Sequence, residues 1–253
     1  MRILSQRISL VALCAVMTAF GHAADAAEIK LVASNAVKEA YTRLLPAFEK
    51  ATGNKVTVSW GGTADISKRI NEGEPADIVI ITDVGIDGLV KQGKLASAGR
   101  VSVAKSPTGA AVRAGAPKPD LSSVDALKKT LIASKAIVVT PGPSNPFLHQ
   151  LFDKLGIGAE MEAKEVQPAA GQILSQPVID GKADIVFSLA SELINVKGIE
   201  YVRHLPPGAE IVLNYVAAFH TGSEQSEAAK ALVKFLTTSD AVKVLKQTGL
   251  EPG

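Results

Sequence analysis

The sequence predicts an α/β fold of two doubly wound lobes joined by two crossing strands, and three observations predict it. Four stretches share one pattern: an apolar run of strand length, a small polar cluster, then a segment of helical periodicity. They are 30–33 before Ser34-Asn35, 56–60 before Gly61-Gly62-Thr63, 136–140 before the loop 141–146, and 184–187 before Ser188. The run 76–81 is short, apolar and β-branched, as suits a strand buried on both faces of a parallel sheet. Two extended regions, 101–113 and 211–219, interrupt the β/α alternation and read as an outward and a return crossing. In such folds ligands sit at the carboxyl ends of strands, where helix amino termini present free N–H groups and the positive end of the dipole. Four such ends carrying hydroxyl and amide side chains point to a cleft for a small anion.

The elements follow in order. After the strand 30–33, Ala36, Val37, Ala40, Tyr41, Leu44, Leu45 and Phe48 recur at helical spacing, and Gly53 ends the helix. Pro46 falls inside it, so a kink or a break into two helices is expected near Leu45. Strand 56–60 precedes a helix over about 65–71 that stops at Gly73; strand 76–81 precedes a helix over 86–92 that stops at Gly93. The first crossing reads as two extended pieces, 101–104 and 109–113, broken by Ser106-Pro107, with 117–120 as a loop. The second lobe continues with helix 124–133, strand 136–140, helix 147–155, a strand near 163–166, helix 171–180 and strand 183–187. A short helix 192–195, strand 201–204 and the return crossing 211–219 follow. The helices 224–236 and 239–246, the latter closed by Gly249, end the chain. Lobe 1 is accordingly expected over 27–104 and 219–253, and lobe 2, with the crossing strands, over 105–218.

Arg2 and Arg7 precede an uncharged apolar run, 8–20, and Ala24-Asp25-Ala26 fits the A-x-A cleavage rule, so 1–26 reads as a secretory signal peptide. The run is shorter than the roughly 20 apolar residues that cross a bilayer, and the mature protein is expected not to be membrane-embedded. Cys14, the only cysteine, lies within this leader, so neither disulfide nor thiol chemistry is expected. A formal net charge of +2 leaves no electrostatic footprint for nucleic acid, and 4% aromatic residues leave little for base stacking. Affinity for an anion must come from local dipoles. The four histidines are scattered without metal-ligand spacing, and no phosphate loop, dinucleotide fingerprint or nucleophile elbow occurs. No cofactor or metal is expected.

The segments Val32-Ala33-Ser34-Asn35-Ala36, Gly61-Gly62-Thr63-Ala64, Glu74-Pro75-Ala76-Asp77-Ile78 and Gly181-Lys182-Ala183-Asp184-Ile185, with the C-terminal pair of helices, resemble the landmarks of the periplasmic molybdate-binding proteins. These are type II periplasmic solute-binding proteins of ABC transporters, and their relatives include aconitate isomerases. The resemblance spans essentially the whole mature chain. It implies the type II periplasmic binding protein fold, a monomer in the periplasm, a small anionic ligand between the lobes, and an ABC permease as partner. It also implies contacts: Ser34 with Asn35 after the first strand, Gly62, Thr63 and Ala64 in the second loop, and Ser144 and Asn145 in the third. Ser188 falls at the fourth contact, and Asn214 or Tyr215 falls near a tyrosine that donates from the return crossing.

Each of these residues has a plainer reading. Ser34, Thr63, Asn145 and Ser188 all stand where a helix N-cap is wanted. Asp65, two residues after Thr63, either repels a dianion or complements its own helix dipole, and with the composition of the third loop it leaves a ligand other than molybdate open, including a small carboxylate. Arg113 reads as a carboxylate clamp or an ion-pair partner. Trp60 reads as core, His149 and His204 as surface or packing residues, and Glu192 as a helix-start charge. On the same scaffold an enzyme of the aconitate isomerase type would need a base, for which Asp65, Glu192 or a histidine is a candidate.

Overall fold

A computed structural model describes residues 26–169, 171–223 and 227–253; the expected signal peptide, apart from Ala26, lies outside the described residues. The chain opens with β1 (Glu28–Ser34), a 3-10 turn (Asn35–Val37), α1 (Lys38–Thr52), β2 (Lys55–Gly61), α2 (Thr63–Asn71), β3 (Ile78–Thr82), α3 (Asp83–Lys91) and β4 (Val101–Arg113). It continues with α4 (Val124–Ala133), β5 (Ile137–Val139), α5 (Asn145–Lys154), α6 (Gly158–Lys164), α7 (Gln176–Ile179), β6 (Ile185–Leu189), α8 (Ala190–Leu193) and β7 (Ile199–His204). It closes with β8 (Val212–Phe219), α9 (Glu227–Leu236) and α10 (Ser239–Gln247).

The strands run in the order β2-β1-β3-β8-β4-β6-β5, with β7 also paired to β4. β1 is parallel to β2 and β3, and β8 lies antiparallel between β3 and β4. β4 belongs to two sheets. Its first half pairs with β8, and from Thr108 onward it pairs with β6 and β7. Pro107 sits at the changeover, partnered by Val212, where a residue lacking an N–H interrupts no ladder on its own account. The two pieces expected around Ser106-Pro107 are therefore one continuous strand. At the same place Glu251 bridges Lys105, tying the C-terminal segment to this strand.

Side chains alternate across both sheets. Ile78 and Ile80 of β3 enter a core with Leu31, Tyr41, Phe48 and Leu232, while Val79 and Ile81 enter another with Ile66, Ile70 and Leu89. In the second sheet, Ile137, Val139, Ile185 and Phe187 face one core and Val138 and Val186 the other. Both sheets are thus covered on two faces, as the continuous apolar runs required.

Three expectations are corrected. α1 passes through Pro46 without a break; burial of Ala40, Tyr41, Leu44, Leu45 and Phe48 on one face offsets the cost of the missing hydrogen bond, about 3 kcal/mol. The expected strand near 163–166 is the end of α6 and a single bridge from Glu165 to Ile137. The expected helix 171–180 shrinks to α7, because Pro177 occupies its first turn and so marks a start rather than an interior. The helix expected from 224 is described from Glu227.

Candidate functional site

The carboxyl ends of β1, β2 and β3 lie side by side: Ser34 pairs with Gly61, Ala33 with Ile80, and Thr82 with Tyr215 of β8. The chain turns from each of these strands into a helix. The space between these strand ends and the second sheet holds two cavities, its two halves, which share no lining residue. One, of about 910 Å³, is lined by Gly62 to Asp65 at the start of α2 and by Thr82 to Gly85 at the start of α3. From the second sheet it takes Gly142, Pro143, Pro146, Phe147 and Gln150, and from β8 Val212, Leu213 and Asn214. The other, of about 710 Å³, is lined among others by Asn35, Lys38 and Arg43 beside β1, by Gln172 and Ser175, and by Ser191 and Glu192 of α8.

The cap reading separates the expected residues. Ser34 does cap the turn that follows it, its Oγ accepting from the Ala36 N–H at 3.3 Å, which leaves its own proton free to be donated. Thr63 caps nothing: Gly62 is the N-cap of α2, and the buried Thr63 Oγ1 has no hydrogen-bond partner among the described residues. Ser188 lies inside β6 rather than at a helix start. Ser144 precedes α5 without a side-chain cap bond. It is buried, and neither it nor Asn145 lines the cleft; their loop reaches the cleft through Gly142, Pro143, Pro146 and Phe147. Asn35, Gly62, Thr63, Ala64 and Asn214 line the cleft, the first in one half and the rest in the other. The Asn214 Oδ1 accepts from the Ser102 hydroxyl.

Beneath the cleft lies a chain of hydroxyls. Thr140 Oγ1 donates to Ser188 Oγ at 2.6 Å, and Ser188 Oγ donates to Glu192 Oε2 at 2.6 Å. Ser106 and Ser191 hydroxyls meet at 3.2 Å. Among the described residues the Tyr215 hydroxyl is buried without a hydrogen-bond partner. Burial first, and the nearby Glu192 carboxylate second, push its phenol well above the ordinary value, with Ser34 offsetting part of this. Glu192 is half-buried as a residue, but its carboxyl lies deep, and burial raises its pKa against the lowering effect of Ser188.

The other candidate bases are placed elsewhere. Asp65 lines the cleft but pairs with Arg69 at 3.0 Å, and Arg69 also holds Glu74 at 2.7 Å, so its carboxylate complements α2 and its own ion pair. His149 stands against Glu165 at 3.4 Å and His204 against Tyr201 at 2.6 Å, outside both halves of the cleft. Arg113 ends β4 beside Gly181, away from the cleft, and Trp60 packs on the core. Sequence reasoning passed over Thr82 to Gly85, although the run 78–81 ending in Thr82-Asp83 repeats the strand, polar turn and helix pattern used for the other four ends. Thr82 Oγ1 caps α3 by accepting from the Gly85 N–H at 3.4 Å. Neither Thr140 nor Ser106 carried a signal, since hydroxyls inside strands read as ordinary strand residues.

Buried donors without partners among the described residues, Thr63 where β2 turns into α2 and Tyr215 on β8 opposite the end of β3, have the chemistry that suits an anion held by neutral groups. Among curated proteins the chain is 34% identical over 234 residues to an aconitate isomerase from a Pseudomonas species, covering 88% of this chain and 87% of that protein. It is 26% identical over 232 residues to the molybdate-binding protein ModA of Azotobacter vinelandii, covering 90% and 91%. Among solved structures, the periplasmic molybdate-binding protein of Azotobacter vinelandii superposes with a TM-score of 0.71 at 19% identity, covering 89% of this chain and 99% of that one. The shared architecture is the type II periplasmic binding protein fold. A family model described as bacterial extracellular solute-binding protein matches residues 29–251, nearly the whole described chain, and to that family this protein belongs.

Proposed function

We propose that the protein works in the periplasm as a monomer that captures a small anion, a molybdate-like oxyanion or a small carboxylate, between its two lobes. It then delivers the anion to an ABC permease. The observation that carries this reading is that two hydroxyls, Thr63 Oγ1 where β2 turns into α2 and Tyr215 Oη on β8 opposite the end of β3, are buried without partners among the described residues. A buried polar group left unsatisfied costs about 1–3 kcal/mol, so a ligand oxygen that accepts from it recovers that cost. Ser34 adds a third donor, and the first residues of α2, α3 and α5 open onto the same cleft. The test is a thermal-shift titration of the mature chain against molybdate, tungstate, sulfate, citrate and both aconitates, since a ligand that binds only the folded state raises its melting temperature. Ser34→Ala and Thr63→Ala are each expected to weaken binding by about 1–3 kcal/mol; unchanged affinity in both variants removes the site assignment.

A second reading is an isomerase of an unsaturated tricarboxylate, supported by the 34% identical relative and by Glu192. Its carboxyl, made more basic by burial, is the one candidate base set deep in the cleft and clear of an ion pair. It would take a proton from the methylene carbon beside the double bond. The electron pair would shift across the conjugated carboxylate system, and a proton exchanged with solvent on the carboxyl would be delivered to the former vinylic carbon, with no net change in atoms or electrons. Proton NMR in deuterated water with cis-aconitate tests it. Trans product with deuterium at the methylene is the expected result, and absence of both sinks this reading.

A further inference from the structure

We propose that Glu192 sets the chemical class of the ligand: as a deeply set carboxylate beside a group of donors, it selects a small organic anion that carries a hydroxyl, a hydroxy-acid, over its counterpart without one. This rests on the anion-binding reading above and narrows it. The geometry is specific. Glu192 Oε2 is fixed by the Ser188 hydroxyl at 2.6 Å, itself fixed by Thr140 at 2.6 Å. Oε1 has no hydrogen bond among the described residues, and Glu192 lines the cleft. The Tyr215 hydroxyl, buried and without a partner, lies close enough to feel the Glu192 charge, and Ser34 is the neighbouring hydroxyl. An anion that accepts from Tyr215 and Ser34 is therefore brought next to a carboxylate.

Among the described residues no cation forms an ion pair with Glu192. Arg43, in the same half of the cleft, is paired with Glu39, whose carboxylate also takes the Asn195 amide at 2.9 and 3.0 Å. Lys38 is exposed. On β7, which packs against α8, Glu200 is held by Lys118 and His204 by Tyr201. With two oxygens of like charge facing each other in a dry site, a hydrogen between them turns repulsion into a charge-assisted bond. A ligand hydroxyl supplies that hydrogen. Burial, which raises the Glu192 pKa, acts in the same direction by penalising a carboxylate left without such a donor.

The other half of the cleft indicates that the ligand is carbon-based. Val84, Phe147 and Val212 are 72%, 43% and 46% exposed there, apolar walls that a bare tetrahedral oxyanion would not use.

The experiment is isothermal titration of the wild-type mature chain and of E192Q at neutral pH with matched pairs: L-malate against succinate, and citrate against tricarballylate. Wild type is expected to favour the hydroxylated member of at least one pair by about 10-fold or more, as a charge-assisted hydrogen bond supplies. In E192Q the ratio should fall toward one, mainly because the member without a hydroxyl gains affinity. Binding of both members with the same ratio in wild type and variant overturns the proposal while leaving anion capture standing. If none of the four binds wild type but molybdate or sulfate does, the class assignment is wrong and the anion site survives. If no anion binds, both readings fall. Should E192Q not fold, equal affinities within each pair in wild type are sufficient to reject the idea.

Discussion

Tyr41 and Tyr215 are both fully buried, both lack a partner for the hydroxyl, and both have phenol pKa values driven up by burial. They differ in surroundings. Both rings belong to the same hydrophobic core as Leu44, Phe48 and Leu232, but only the Tyr215 hydroxyl has polar neighbours, Ser34 and the Glu192 carboxylate. Tyr41→Phe is therefore expected to hold or raise the melting temperature, with up to about 1–3 kcal/mol recovered, and to leave ligand binding alone. Tyr215→Phe should be equally harmless to folding but cost about 1–2 kcal/mol of ligand affinity; calorimetric melts and titration of the two variants separate the roles. Glu192 gives a pH signature. Its carboxyl titrates higher in the folded state than in the unfolded chain, so the folded form binds more protons, and stability falls as pH rises from the usual carboxylate range through the raised value. Glu192→Gln removes this, and its melting-temperature advantage over wild type should be absent near pH 4 and grow toward neutrality. A constant advantage would mean the carboxyl is solvated. At this scale the sequence marked Ser34 and Thr63 by position, but not that one hydroxyl caps a turn while the other is left free, since that depends on where Gly62 places the first turn of α2.

Among the elements, those bounded by local punctuation were legible. α1 ends at Gly53 in the left-handed region, α4 occupies 124–133 as its periodicity requires, and β3 is buried throughout. The elements misread are those where tertiary packing overrides local pattern. α6 buries one residue, Met161, against the core that also holds Leu131 and Phe152, and without that surface its seven residues carry too weak a periodicity to read. β4 continues through Ser106-Pro107 because its partners change from β8 to β6 there, a long-range fact absent from the local sequence. The start of α3, also passed over, is a close approach that needs glycine. A Cβ on Gly85 would lie 2.7 Å from Thr63 Cγ2 and 2.8 Å from Ile81 Cδ1. Gly85→Ala must therefore displace Thr63, and is expected to cost about 1–3 kcal/mol of stability along with a measurable loss of anion affinity. A variant as stable and as tight-binding as wild type would show that the two helix starts yield without moving the donor.

Across the whole molecule, the two sheets share β4, and the cleft between them carries apolar side chains that stand partly or largely exposed. Val84 stands at the start of α3 from the first sheet, Phe147 on α5 from the second, and Val212 at the start of β8; all three line the same half of the cleft. Side chains so exposed contribute almost nothing to the folded state as described, and a polar replacement at Val84 should change unliganded stability by no more than about 0.5 kcal/mol. Ligand capture in a two-lobed protein favours a closed arrangement in which both lobes contact the ligand, and closing this cleft would bury Val84 against the opposite wall. Burying a valine side chain yields about 1.5 kcal/mol, so Val84→Ser is expected to weaken ligand binding roughly 10-fold while leaving the free protein's melting temperature in place. Small-angle scattering should show the ligand reducing the radius of gyration of both proteins. Equal affinity in wild type and variant, with the same compaction, would mean that the mouth of the cleft stays open around the ligand and that the buried donors alone hold it.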